Sequence, residues 1–113
     1  MRDRRTFHAL RTDGTRVRRG TLSVVHLADD AVGGPPRVAY AMTKRVGGAV
    51  VRNRLRRRLR ALVSELAGRG LVPSGALLIS AGPDAALRTS DELRNDMVRL
   101  LDALRARLAE VER

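Results

Sequence analysis

A chain of 113 residues with 43% hydrophobic content is long enough for one modest core and too apolar to be wholly disordered. Its net charge of +11 makes a polyanion the expected partner, and the absence of cysteine excludes disulfides and thiolate metal sites. No apolar run follows the charged N-terminal residues, so we expect neither a signal peptide nor a membrane span. We therefore predict a single domain over residues 1–113, located in the cytoplasm.

The first part of the chain predicts a short helix followed by strands. Residues 6–10 place two apolar side chains three positions apart, as on one helical face. Residues 21–27 are rich in β-branched side chains, and residues 37–43 alternate larger apolar side chains with alanine. Both segments therefore predict strands. A loop with Gly-Gly and Pro-Pro pairs separates them. We expect these strands to form an antiparallel hairpin with a long connection, the second to be central in a sheet, and a short extra strand to lie near residues 16–19.

The second part of the chain predicts a long helix, a buried strand and another long helix. The first of these two long helices follows Gly47-Gly48 and runs to about residue 66. Its apolar side chains fall within an arc of about 120°. Residues 76–80 are a short apolar run, which predicts a strand. Thr89 and Glu92 have capping-box spacing before the last helix. The predicted fold is α+β, a small sheet packed with helices in a two-layer sandwich of order α-β-β-(β)-α-β-α.

Positive charge is concentrated between residues 37 and 60. This window holds nine basic residues, and no Asp or Glu occurs from residue 31 to residue 64. A solvated helix face balanced by salt bridges would need acids three or four positions from the arginines, and residues 52–60 have none. Guanidinium groups suit bidentate contacts with phosphate. The window therefore predicts a nucleic-acid surface.

Motifs for catalysis by the polypeptide are absent from the sequence. His8 and His26 have no partner at a spacing typical of metal ligation or acid–base chemistry, and no phosphate loop or metalloprotease motif occurs. We predict no catalytic residue and no metal ligand in the protein. The residues leave open a DNA-binding regulator and a general RNA-binding protein, such as a chaperone or a ribosome-associated protein, while a nuclease acting alone lacks a site.

Residues 44–60 read KRVGGAVVRNRLRRRLR. This run resembles the signature of the bacterial ribonuclease P protein subunit, which is approximately K-[KR]-x-G-x-A-V-x-R-N-[RK]-x-[KR]-R-x-x-R, and every fixed position agrees. Phe7, Gly14, the strands and the terminal helix also follow the order of that family. The resemblance covers nearly the whole chain and is most specific in residues 37–60.

The resemblance implies a left-handed β-α-β crossover around the arginine-rich helix. It also implies the protein subunit of an endonuclease that removes the 5′ leader of precursor tRNA, with the chemistry performed by a catalytic RNA that uses Mg²⁺. The implied partners are that RNA and precursor tRNA, with no DNA and no membrane. The alternative is a general RNA-binding protein without a role in tRNA processing.

The resemblance assigns residues to two surfaces. A cleft for the leader is expected at the first helix and the sheet, where Arg11 replaces an aromatic residue common in the family and can stack through its guanidinium group. The expected cleft residues are Phe7, Arg11, Val25 and Arg37. The residues expected to contact the catalytic RNA are Lys44, Arg45, Arg52, Asn53, Arg54, Arg56, Arg57 and Arg60.

Overall fold

The computed structural model describes residues 14–28 and 35–111. In chain order the elements are the strands β1 (Thr15–Arg19), β2 (Leu22–Leu27) and β3 (Arg37–Met42), a 3-10 turn (Lys44–Val46), the helix α1 (Ala49–Gly68), the strand β4 (Ala76–Ala81), a second 3-10 turn (Pro83–Leu87) and the helix α2 (Ser90–Val111). The extra strand expected near residues 16–19 is β1, and the α+β class is confirmed. The predicted helix at residues 6–10 lies outside the described residues.

The four strands form one mixed sheet in the order β1-β2-β4-β3. The predicted hairpin is wrong, because β4 lies between β2 and β3, antiparallel to β2 and parallel to β3. The expected central position of β3 is also wrong, because β3 is an edge strand of this sheet. The apolar run Leu77, Leu78 and Ile79 gives β4 two apolar faces, which suits the interior of a sheet, whereas Ala41 of β3 is exposed.

The helix α1 connects two parallel neighbours, β3 and β4. Parallel strands cannot be joined by a tight turn, so the connection must cross over the sheet, and here it does so as a β-α-β unit. The left-handed sense implied by the family resemblance stays a prediction.

One face of the sheet carries the core. Strand pairing aligns Val17, Val24, Ile79 and Tyr40 in one row across all four strands, and the first three are buried. The apolar sides of both helices complete this core, as their periodicity predicts, except that Val51 near the start of α1 is 40% exposed. The fully buried helical side chains are Leu55, Leu59, Leu66, Leu93, Met97, Leu100, Leu101 and Leu104.

The N-terminus of α2 is closed by the predicted capping box. The Thr89 N–H donates to Glu92 Oε1 at 2.9 Å, and the Glu92 N–H donates to Thr89 Oγ1 at 3.1 Å. The hydrogen bond from the Thr89 backbone, followed by that from its side chain, lowers the pKa of Glu92 below its ordinary value. The helix therefore begins where the sequence predicts, beside the second 3-10 turn.

A buried carboxylate ties α2 to the turn between β1 and β2. Asp96 is 3% exposed and accepts hydrogen bonds from Thr21 Oγ1 at 2.9 Å and from the Thr21 N–H at 3.4 Å. Arg88 donates to the same carboxylate through Nε at 3.3 Å and Nη2 at 3.1 Å. Burial alone raises the pKa of Asp96, but the hydrogen bonds from Arg88 and Thr21 outweigh it and hold the pKa below its ordinary value. The carboxylate is therefore charged at neutral pH.

Replacing Gly20 with alanine is expected to destabilise the protein by about 1–3 kcal/mol. Gly20 has φ of +58°, and a Cβ there would lie 2.5 Å from Asp96 Oδ1. The substitution therefore strains the turn and displaces the carboxylate that anchors it. Urea unfolding measures the loss. Gly68→Ala is the matched control, because no atom of the described residues lies within 4 Å of its Cβ position and alanine favours a helix. An equal effect of both variants would contradict the proposed clash.

Candidate nucleic-acid interface

The start of α1 depends on the backbone of Gly47. Its φ is +148°, and a Cβ at this position would lie 2.8 Å from Val51 Cγ1. The Gly47 N–H donates to the Lys44 carbonyl at 3.1 Å, which closes the first 3-10 turn immediately before the helix. A glycine at this position therefore lets the 3-10 turn lead directly into α1 without a clash with Val51. The turn places Lys44 and Arg45 at the N-terminal end of that helix.

The outward side of α1 carries the predicted polar cluster. Asn53, Arg56, Arg57 and Arg60 line one shallow depression, as their helical spacing predicts. Asn53 Oδ1 accepts a hydrogen bond from Arg56 Nη1 at 2.9 Å, so the asparagine orients one of the guanidinium groups. We name the arginine surface by the eight residues predicted to contact the catalytic RNA, all of which are exposed or half-buried: Lys44, Arg45, Arg52, Asn53, Arg54, Arg56, Arg57 and Arg60.

The arginine surface is not neutralised by carboxylates in the described part of the chain. The ion pairs found there involve other cations: Arg88 with Glu92 and Asp96, Arg94 with Glu65, and Arg105 with Asp102. Glu65 is the acid nearest in sequence to the arginine surface on α1, and it pairs with α2 instead. In addition, α1 begins without a side-chain cap and without an acid in its first turn. The positive end of the helix dipole therefore adds to the positive potential of the side chains.

Arg58 differs from its neighbours on α1. Its Nη2 donates to the Arg88 carbonyl at 2.8 Å, which fixes the side chain against the segment between the second 3-10 turn and α2. Arg58 therefore links α1 to the Arg88–Asp96 pair. Helical periodicity indicates that Arg58 shares a flank with Arg54, but it does not indicate the acceptor, which lies 30 positions away in the chain.

The outer sheet face, the side opposite the core, carries two of the four predicted leader-cleft residues. Val25 is paired with Arg16 on one side and with Leu78 on the other, so these side chains share one face. Arg37 is paired with Ala76, which is paired with Leu27, and this row lies on the same face as Val25. The structure thus places Val25 and Arg37 on one surface. Phe7 and Arg11 lie outside the described residues.

The described residues provide a structural role for His26. His26 is buried, and its Nε2 lies 2.7 Å from the Ser74 carbonyl, which can only accept, so Nε2 is the donor. Burial raises the pKa of the half-buried Tyr40, and the nearby Arg60 opposes this effect.

No group of three or more His, Asp or Glu side chains in the described ranges could hold a metal ion. Neither α1 nor α2 contains a stretch apolar enough to span a bilayer.

The sequence matches a known protein family over most of its length. The family model described as Ribonuclease P matches residues 1–105. A ribonuclease P protein component from Beutenbergia cavernae is 45% identical over 85 residues, which cover 71% of this chain and 71% of the relative. The corresponding protein from Thermobifida fusca is 42% identical over 113 residues, covering 94% of this chain and 74% of the relative.

Solved structures of similar shape share the fold at low sequence identity. The RNase P protein of Staphylococcus aureus has a TM-score of 0.80 at 17% identity, covering 92% of this chain and 93% of that chain. The RNase P protein of Thermotoga maritima has a TM-score of 0.75 at 20% identity, covering 89% of this chain and 93% of that chain. These matches support the α+β fold described above.

Proposed function

The chain belongs to the ribonuclease P protein family, and from this premise we propose how its surfaces serve two RNAs. It is the protein component of ribonuclease P, the ribonucleoprotein that cleaves tRNA precursors, and its partner in that assembly is an RNA subunit. The alternative of a general RNA-binding protein is not favoured by these matches. We propose that the arginine surface binds the RNA subunit and that the outer sheet face binds the 5′ leader of precursor tRNA.

The observation that carries this proposal is the row of guanidinium groups on α1, which no carboxylate of the described residues neutralises. Such a density of like charge is self-repelling until a polyanion neutralises it. Arginine presents donors in a planar fork that fits phosphate oxygens, so neighbouring arginines can follow a nucleic-acid backbone. A helix-turn-helix would present a recognition helix after another helix, whereas β3 and β4 flank α1. This context favours a folded RNA over duplex DNA as the partner.

The leader site is proposed from the geometry of the sheet. The helices cover the core face, so the outer sheet face is a second surface on the opposite side of the same layer. Its described residues include Arg16 and Arg18 beside Val25, which gives cationic and apolar contacts together. Single-stranded RNA is bound through such combined contacts to its backbone and bases. Cations on two surfaces would also reduce the repulsion between the RNA subunit and the precursor.

The chemistry of cleavage is proposed to belong to the RNA subunit with Mg²⁺. The described residues bring together no cluster of carboxylate or imidazole ligands for a metal ion, so we derive no catalytic step from this protein through Mg²⁺. The polypeptide's own contribution is to bind the RNA subunit, to hold the leader and to orient the precursor. We propose that it acts in the cytoplasm and binds neither DNA nor a membrane.

Adding the protein to the RNA subunit is expected to lower the Mg²⁺ concentration needed for cleavage of precursor tRNA. The physical reason is that the cations of the protein replace part of the counterion charge that two associating RNAs require. Single-turnover cleavage across a Mg²⁺ series measures the shift, with the protein alone as the control. Binding of precursor and of mature tRNA is compared in parallel. A general RNA chaperone would assist precursor and mature tRNA binding equally. That result, or an unchanged Mg²⁺ requirement, would contradict the proposal.

A further inference from the structure

The large exposed apolar side chains of the described residues are concentrated in one place. Val50 and Leu87 are each 82% exposed, and Val51 is 40% exposed. Scattered single apolar residues are normal on a protein surface, but a cluster of them marks an interaction site. Here all three line the same recess, although Val50 and Val51 start α1 and Leu87 ends the second 3-10 turn.

The recess has a fixed shape and a cationic rim. Its lining also includes the buried Val46 and Leu55, which belong to the core, so one wall is part of the packed interior. Ala86, Arg54 and Arg58 complete the lining, and no carboxylate of the described residues belongs to it. Arg58 is held by its 2.8 Å hydrogen bond to the Arg88 carbonyl, which joins the two walls. The recess is therefore preorganised, apolar inside and positively charged at its edge.

We propose that this recess binds an unpaired nucleobase of the RNA subunit. An unstacked base presents a flat, weakly polar surface that aliphatic side chains can cover, and a guanidinium plane can stack on it. A phosphate group would gain nothing from Val50 and Leu87, and an apolar protein segment would gain nothing from the cationic rim. The combination fits a base whose own phosphates lie beside Arg54 and Arg58. This inference rests on the proposed function, since it takes the RNA subunit as the partner.

The position of the recess favours the RNA subunit over the precursor. Arg54 belongs both to the arginine surface and to the lining of the recess, so a single RNA can occupy the two without a break. The outer sheet face, proposed for the leader, is built from the strands and shares no residue with this lining. The recess would thus recognise the RNA at a nucleotide that leaves its helix, whereas the arginine surface contacts the backbone regardless of sequence.

The Val50→Ser/Leu87→Ser double variant is expected to bind the RNA subunit about tenfold more weakly with an unchanged salt slope. Apolar contacts release no counterions, so the affinity should fall while the salt slope stays the same. Thermal unfolding should be unaffected, because both side chains are 82% exposed in the free protein. The Val50→Ile/Leu87→Met variant keeps the apolar surface and should retain the affinity. Equal affinities of the serine variant and the wild type would overturn the inference.

The same titration separates this inference from the proposed function. If the wild type itself fails to bind the RNA subunit, both are overturned. If the wild type binds and the serine variant binds equally tightly, the base-binding recess alone is overturned. A photo-crosslinking residue at position 50 gives an independent result, because the crosslinked nucleotide should be one that chemical probing shows to be unpaired. A crosslink to a base-paired nucleotide or to a second protein copy would contradict the inference.

Discussion

Replacing both Arg52 and Arg54 with alanine should weaken binding to the RNA subunit by about 10- to 100-fold and flatten its salt dependence. If each arginine neutralises one phosphate, the slope of log affinity against log salt should fall in magnitude by about 1.4–1.8. Neither side chain has a carboxylate partner in the described residues, so their charge is available to RNA. Equilibrium binding across a salt series measures both quantities.

The matched control removes the same charge from another helix. Arg99 and Arg107 are exposed on α2 and lie outside the arginine surface. Arg99→Ala/Arg107→Ala should change the affinity only slightly, through the long-range field that salt screens. If the two double variants lose affinity and slope equally, general charge rather than the arginine surface drives binding.

Replacing Asp96 with asparagine should reduce the free energy of unfolding by about 2–3 kcal/mol at neutral pH. The carboxylate accepts four hydrogen bonds from Thr21 and Arg88 while being 3% exposed. Asparagine offers one acceptor oxygen and turns an N–H₂ donor toward other donors. Arg88 is partly exposed and can regain water, which keeps the loss below that of a fully buried pair. Urea unfolding measures the difference.

The effect of Asp96→Asn should depend on pH in a defined direction. Because the pKa of Asp96 is lowered in the folded protein, its contribution is fully present above the ordinary carboxyl pKa. The contribution is lost as the pH falls through the lowered value. The difference between wild type and variant should therefore shrink below about pH 4. Asp102→Asn, at an exposed pair with Arg105, should cost less than about 0.5 kcal/mol. A difference between wild type and Asp96→Asn that stays constant down to low pH would contradict the assignment.

Helical features of this chain are predictable because their information is local. The faces of α1 follow from residues three and four positions apart, and the capping box from Thr89 and Glu92. The outward cluster at Asn53 could be named from spacing alone. Its predicted contacts with RNA remain predictions, and Phe7 and Arg11 lie outside the described residues.

Strand order could not be predicted in the same way. Alternation identifies β2 and β3 as strands, but it does not say that β4, which follows α1 in the chain, will insert between them. The Asp96 cluster also joins residues that are far apart in the sequence, since Thr21 lies 75 positions from its carboxylate partner. The exposure of Val50 and Leu87 is a further case. It depends on how the second 3-10 turn packs beside α1, and helical periodicity carries no information about that packing.

The composition of β1 has a consequence for the chain before any RNA is bound. Among the described strands β1 is at an edge, where backbone N–H and C=O groups can template another chain. Arg16, Arg18 and Arg19 are exposed along its five residues. Edge-to-edge addition of a second molecule would stack these charges about 4.8 Å apart, a repulsive arrangement that opposes fibril growth. We therefore expect β1 to resist pairing with the β1 strand of a second molecule.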